Sequence, residues 1–259
     1  VSWVVVASLV LGFGSGVLAG MFGIGGAVIT TPSIRALGAT PIHAVGSTVP
    51  AILPGSISGA YRYAKAGSVD WRVGLTCGTC GALFAIGGAA ATRVVDAHYL
   101  MILTAGLLAF TGVSQIRSTR AIDASLESPA PVVVPTGPER PVDGPAAPSP
   151  SLGLLVAVGA GIVMMPAFTG LLKLPMRLAV GSSLVAVAIF SVPALVTHAW
   201  LGNIDWRFAL PLAIGVVPGA QVGARLTLGT SERLIRRFFG VFLLAISVVY
   251  AVSEILALH

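Results

Sequence analysis

Charge is what this sequence has least of. Only 9% of its 259 residues are charged, against 56% hydrophobic residues and a mean hydropathy of +0.96, where a soluble globular chain carries about a quarter charged residues. That scarcity excludes a water-soluble globule, because too few polar groups exist to cover one. Cysteine is nearly absent too: Cys77 and Cys80 are the only two, and both lie inside an apolar run, which excludes a disulfide framework. The formal net charge is +6 and the pI near 10, but no basic stripe with interleaved aromatics is present, which argues against nucleic-acid binding. The basic residues sit in short gaps between apolar runs, where basic loops facing anionic lipid headgroups account for them better. No nucleophile-base-acid arrangement, phosphate loop or carboxylate pair is visible, so the chain reads as a non-enzyme, with no cofactor and no metal. No cleavable signal is evident, because the first apolar run is too long for one.

What the sequence has in abundance is uncharged length. Eight stretches contain no Asp, Glu, Lys or Arg: 1–34, 36–61, 73–92, 97–116, 151–172, 178–204, 208–224 and 238–253. Each is near or above the roughly 17–25 residues a helix needs to cross a bilayer. A bilayer interior leaves unpaired backbone groups unsatisfied, and the alternating pattern of a membrane β-barrel is missing, so helices are expected throughout. The expected fold is an all-α polytopic membrane protein with about eight transmembrane helices, multi-pass in the cell (inner) membrane. If all eight cross, the basic residues divide seven to eight between the faces, and charge leaves the orientation open. Tyr61, Tyr63, Trp71, Trp200 and Trp206 are expected at the headgroup level of one face.

The second half of the chain repeats the first. Pro32 and Pro41 match Pro166 and Pro175 at an offset of 134. One residue further out of phase, Ala44-Val45-Gly46-Ser47-Thr48 matches Ala179-Val180-Gly181-Ser182-Ser183, Gly67 matches Gly202, and Asp70-Trp71-Arg72 matches Asp205-Trp206-Arg207. Eight of the 17 prolines fall between Ser118 and Pro150, a composition that favours an extended, water-exposed linker. The domain reading is a membrane repeat over 1–117, a Pro-rich linker over 118–150 and a second membrane repeat over 151–259. These are two homologous four-span halves with Gly/Pro-broken helices, an organisation found in secondary transporters. Four crossings per half would make the repeats parallel, whereas an extra crossing or a re-entrant arm at the glycines would make them inverted.

Candidate functional residues fall in three groups. Gly23-Ile24-Gly25-Gly26 followed by Thr30-Thr31-Pro32, echoed by Gly159-Ala160-Gly161 and Pro166, permits a mid-membrane helix break whose exposed N–H groups face an anion. The same glycines are equally suited to close helix packing. Ser47, Thr48, Ser182 and Ser183 can donate uncharged hydrogen bonds to a small oxyanion, or can satisfy the carbonyls of their own helices. His198, His43 and Gln221 are isolated polar residues in or beside the spans; either histidine can titrate near neutral pH and couple a proton. Cys77 and Cys80 read as packing, and Asp70 and Asp205 as helix N-caps at the interface.

Taken together, the Gly-rich break, the proline, the Ala-Val-Gly-Ser-Thr/Ser element and the Asp-Trp-Arg that precedes the third span of each half resemble the sulfite exporter TauE/SafE family, over Gly12 to Ala251 apart from the linker. The resemblance implies a polytopic bacterial inner-membrane permease for sulfite, sulfoacetate and other sulfur-containing anions. It places the matching elements at Gly25, Gly26, Pro32, Ser47 and Thr48, and at Gly159, Gly161, Pro166, Ser182 and Ser183. The expected function is alternating-access transport of such an anion, with membrane lipid as the other partner, proton or ion coupling open, and the substrate contacts drawn from these residues with Thr30, Thr31, His198 and Gln221. The competing reading is a non-transporting membrane scaffold that docks through its Pro-rich linker.

Overall fold

A computed structural model of the chain describes residues 2–91 and 174–257, with residues 106, 109, 110, 113, 164, 168, 169 and 172 between them. The described residues form seven helices: α1 (Ser2–Phe22), α2 (Ala27–Ala36), α3 (Pro41–Lys65), α4 (Trp71–Ala91), α5 (Met176–Trp200), α6 (Trp206–Gly229) and α7 (Glu232–Ala257). No strand occurs among them. Those isolated positions aside, the spans expected at 97–116 and 151–172 lie outside the described residues, and so does the linker 118–150.

The first apolar stretch is two helices, not one. Gly23, Gly25 and Gly26 all take positive φ, between 71° and 78°, a region that costs a residue with a Cβ about 1–2 kcal/mol. The chain therefore leaves α1 after Phe22 and starts α2 at Ala27, with four residues between the helices. Among the described helices three are long and apolar enough to cross a membrane: α1 from Trp3, α5 and α6. α3 is as long as α5 at 25 residues but more polar. It turns Ser47, Thr48, Ser56 and Ser58 into the protein, all at most 8% exposed, and a helix surrounded by protein has less need of an apolar surface than one facing lipid.

α1 and α6 pack through glycine on both sides. Gly12, Gly16 and Gly20 of α1 lie so close to the backbone of Leu212, Val216 and Ala220 that a Cβ on any of them would strike a carbonyl oxygen. Gly215, Gly219 and Gly223 of α6 lie equally close to the carbonyls of Leu9, Phe13 and Val17. The contacts advance by four residues on both helices at once, so α1 and α6 run parallel, with backbones brought together by small residues.

The other helix directions follow in the same way. Gly46, Gly55 and Gly59 of α3 meet Asn203, Val216 and Ala220 in ascending order, so α3 runs parallel to α6; Gly74, Gly78 and Gly81 of α4 meet Val185, Ile189 and Phe190, so α4 runs parallel to α5. Between α3 and α5 the order reverses, since Gly59 touches Leu184 while Gly181 touches Tyr63. These two helices, which carry the matching Ala-Val-Gly-Ser elements, are antiparallel. The end of α3 and the start of α4, around Asp70, therefore lie on one face, and the end of α5 and the start of α6, around Asp205, on the other. Tyr61 and Trp71 belong to the Asp70 face and Trp200 and Trp206 to the Asp205 face, all four exposed, while Tyr63 is fully buried and its hydroxyl donates to the Gly20 carbonyl at 3.0 Å. The aromatic anchors thus mark both faces rather than one.

The largest apolar cluster gathers Phe22, Ile24 and Val28 from the α1–α2 turn, Met176, Val180 and Leu184 from α5, and Ile235 and Phe239 from α7. Glu232 opens α7 and also caps α5: its Oε1 accepts the Met176 N–H at 3.0 Å and pairs with Arg236 at 2.8 Å.

Candidate functional site at the helix break

The turn between α1 and α2 reaches the middle of the molecule. Gly23 lies against Val180 and Ser183, whose hydroxyl donates to the Gly23 carbonyl at 3.1 Å. Two residues on, Gly25 lies between Ile52 and Val187, the twelfth residues of α3 and α5, each 25 residues long. Gly25 thus sits at mid-height where the two antiparallel helices pass each other. Gly26 turns back against Ser15 and Ala19 of α1 and serves as the N-cap of α2 in left-handed conformation. Thr30 and Thr31 follow in the first turns of α2, both buried, and the Thr30 hydroxyl donates to the Gly26 carbonyl at 3.2 Å. The start of α2, with its partial positive charge, is therefore held at the centre of the bundle rather than at a face. Its far end returns to the Asp205 face, where Ile34 packs with Ala44 and Phe208.

The repeated serines make reciprocal bonds. The Asp205 backbone N–H donates to Ser47 Oγ at 2.8 Å, and the Asp70 backbone N–H donates to Ser182 Oγ, also at 2.8 Å. The serine of each matching element thus holds the Asp-Trp-Arg turn of the opposite half. The glycine before each serine completes the contact: a Cβ at Gly46 would strike the Asn203 carbonyl, and one at Gly181 the Ser68 carbonyl. Asp70 Oδ1 in turn accepts the N–H groups of Arg72 and Val73, and Asp205 Oδ1 that of Arg207, which is the N-cap arrangement expected from the sequence.

The residues singled out from sequence consequently occupy three heights. Gly25, Gly26, Thr30 and Thr31 lie at or near the centre. Ser47 and Thr48 lie toward the Asp205 face, the latter hydroxyl donating to its own helix at Val45; Ser182 and Ser183 lie toward the Asp70 face. His198 is 5% exposed near the end of α5, with Nδ1 3.4 Å from the Asn203 amide. It is eleven residues from Val187, about 16 Å along the helix. His43 lies on the Asp205 face, where it lines an open depression of about 520 Å³ with Ile204, Asp205, Trp206 and Arg207. Gln221 is half-buried on α6. Gly159 and Gly161, with Ala160 and Pro166, lie outside the described residues. Cys77 and Cys80 are free thiols, and no cluster of metal-ligating side chains occurs among the described residues. Sequence reasoning missed the facing glycines of α1 and α6, although both series, Gly12-Gly16-Gly20 and Gly215-Gly219-Gly223, stand at four-residue spacing in plain view.

Gly25 is the most demanding position at the break, combining a φ of 75° with Val187 Cγ1 only 3.1 Å from where a Cβ would stand. Gly25→Ala is expected to lower stability by about 1–3 kcal/mol through the left-handed backbone and the crowded contact, read as a lower melting temperature in detergent. Gly38→Ala is a useful comparison: its φ is also positive, at 99°, but nothing lies within 4 Å. It should show the backbone cost alone.

The sulfite exporter TauE/SafE family model matches residues 8–250. A "Probable membrane transporter protein" of Xylella fastidiosa is 27% identical over 254 residues, covering 94% of this chain and 95% of that protein. The probable membrane transporter protein YdhB of Bacillus subtilis is 25% identical over 219 residues, covering 82% and 86%. No solved structure matches.

Proposed function

The chain belongs to the sulfite exporter TauE/SafE family and is a multi-pass membrane transporter of the cell membrane, and we propose that it carries a small sulfur-containing anion, such as sulfite or an organosulfonate, by alternating access. The observation that supports this reading best is the helix break at mid-height between α3 and α5. An anion bound there meets the start of α2, with Gly25 and Gly26 carrying no side chain and the Thr31 hydroxyl nearby as an uncharged donor, while Thr30, whose hydroxyl donates to the Gly26 carbonyl, is assigned to hold that start in place. Gly159 and Gly161, which echo the Gly-rich element in sequence, are proposed as substrate contacts of the second half. Thr48, Ser183 and Gln221 are assigned to the path on either side of the centre. Ser47 and Ser182, already engaged to the opposite half, serve the site by holding the two halves in register. The repeats over 1–117 and 151–259, joined by the linker 118–150, are read as inverted rather than parallel, because matching helices run in opposite directions and the reciprocal serine bonds relate the halves by a two-fold axis in the membrane plane.

Flux into proteoliposomes tests the reading. Sulfite, thiosulfate or a short sulfonate should be taken up, while a carboxylate of similar size should not. Thr31→Val, close in volume but without the hydroxyl, should weaken uptake about tenfold if that donor bonds the anion, at the roughly 1–1.5 kcal/mol of one hydrogen bond. No flux with any sulfur anion would sink the proposal. Proton coupling through His43 or His198 predicts flux that responds to an imposed pH gradient and loses that response in His43→Gln or His198→Gln; flux indifferent to the gradient removes both histidines from that role.

A further inference from the structure

The basic residues, evenly divided when eight crossings are counted in sequence, are gathered on one face by the fold. Arg62 and Lys65 end α3, Arg72 stands in the first turn of α4 and Arg177 in that of α5, and all four lie on the Asp70 face. α6 runs toward the same face and brings Arg225 with it; α7 starts there with Arg233, Arg236 and Arg237. The opposite face receives Arg35, because α2 returns there, and Arg207, at the start of α6. Among the described residues the division is thus eight to two. The even split depended on counting three crossings between Arg72 and Arg177, which would make α3 and α5 parallel; they are antiparallel, and this reverses the assignment of Arg177 and of every described basic residue after it.

We propose that the Asp70 face is the cytoplasmic face and that its basic collar rests on the anionic headgroups of the inner leaflet. The geometry fits this partner. Lys65, Arg72, Arg177 and Arg225 are exposed at helix ends, within reach of headgroups, and exposed Trp71 and Tyr61 stand among them at interfacial height. Lys and Arg near helix ends are retained on the cytoplasmic side, and polybasic segments there are attracted by the negative surface potential of anionic lipid. The acidic groups described on this face, Asp70 and Glu232, are two against eight basic ones, so the excess stands. The assignment places the His43 depression and the returning end of α2 on the outer side. It does not depend on which anion is carried.

The test is side-specific labelling in spheroplasts. In the full chain carrying Cys77→Ala and Cys80→Ala, single cysteines are placed at Ala36→Cys and Thr40→Cys on the Asp205 face, and at Ala66→Cys and Ser231→Cys on the Asp70 face, all four positions exposed. A membrane-impermeant maleimide should label the first pair in intact spheroplasts and the second pair only after permeabilisation. Any other pattern overturns the orientation. Arg62→Gln, Lys65→Gln, Arg72→Gln and Arg225→Gln, combined with Ala66→Cys, test the lipid contact. Labelling of Ala66→Cys before permeabilisation should rise from background to a measurable share of the molecules, and an unchanged pattern would show that the collar does not hold this face inward.

Discussion

Gly219→Leu is expected to eliminate most of the folded protein. At this position on α6 even a single Cβ would strike the Phe13 carbonyl oxygen, with the Val17 nitrogen at 3.0 Å and the Gly16 Cα at 3.1 Å. All three are backbone atoms, so no rotamer change can relieve the contact. Overpacking by a few methylene groups in a well-packed interior costs about 1–3 kcal/mol. Leucine adds a whole side chain at a backbone-to-backbone contact, and the helices must separate to admit it. Separation would also loosen Gly16 and Gly223, which share the interface. The monodisperse fraction after detergent extraction is the measurement, and Gly219→Ala should lie between Gly219→Leu and the unaltered chain. Gly14→Ala is the control: it lies on the same helix as Gly16, and nothing lies within 4 Å of its added methyl. It should be neutral, or slightly stabilising because alanine favours helix over glycine. If Gly219→Leu extracts as well as the unaltered chain, α1 and α6 are not in backbone contact in the folded protein.

Removing both repeated serines should have the second largest effect. Ser47→Ala and Ser182→Ala each leave a backbone N–H, that of Asp205 or Asp70, without its acceptor. A buried donor left unsatisfied costs about 1–3 kcal/mol. The two bonds lie on opposite faces and share no partner, so their effects should add, as they do for distant sites. The double variant should therefore lose about 2–6 kcal/mol, measured by thermal or denaturant unfolding in detergent. The two single variants should lose nearly equal amounts, since both bonds measure 2.8 Å. Ligand binding discriminates the serines' roles. If they act by holding the halves in register, folded Ser47→Ala should bind its anion with nearly unchanged affinity. A large loss of affinity without loss of stability would place Ser47 in direct contact with substrate.

Much of this could be read from residue identity alone, though less from residue position. The aspartates of the two Asp-Trp-Arg turns are the helix caps that their residue type and neighbours suggest, because capping is local and needs only the next three residues. The helical, membrane-embedded character is equally plain, since it follows from composition. The partners of Ser47 and Ser182 lie 158 and 112 residues away, and nothing near either serine announces them. Both serines therefore read as candidates either to bind an anion or to satisfy the carbonyls of their own helices. The opposite direction of α3 and α5 was hidden for another reason: it turns on how many of the uncharged stretches between Arg72 and Arg177 cross the bilayer, and charge marks only where such a stretch ends. The facing glycines of α1 and α6 were legible as spacing but not as a pair, because small residues at four-residue intervals do not say which helix they will meet.

The reciprocal serine bonds also fix a thickness. Ser47 marks the level of Asp205, and Tyr63, beside Gly181 and next to Ser182, marks the level of Asp70. Sixteen residues of α3 separate them, about 24 Å at the rise of an α-helix, against a hydrocarbon core of about 30 Å. The two capped turns thus stand closer together along α3 than the two faces of a hydrocarbon core, and Gly25 lies between them.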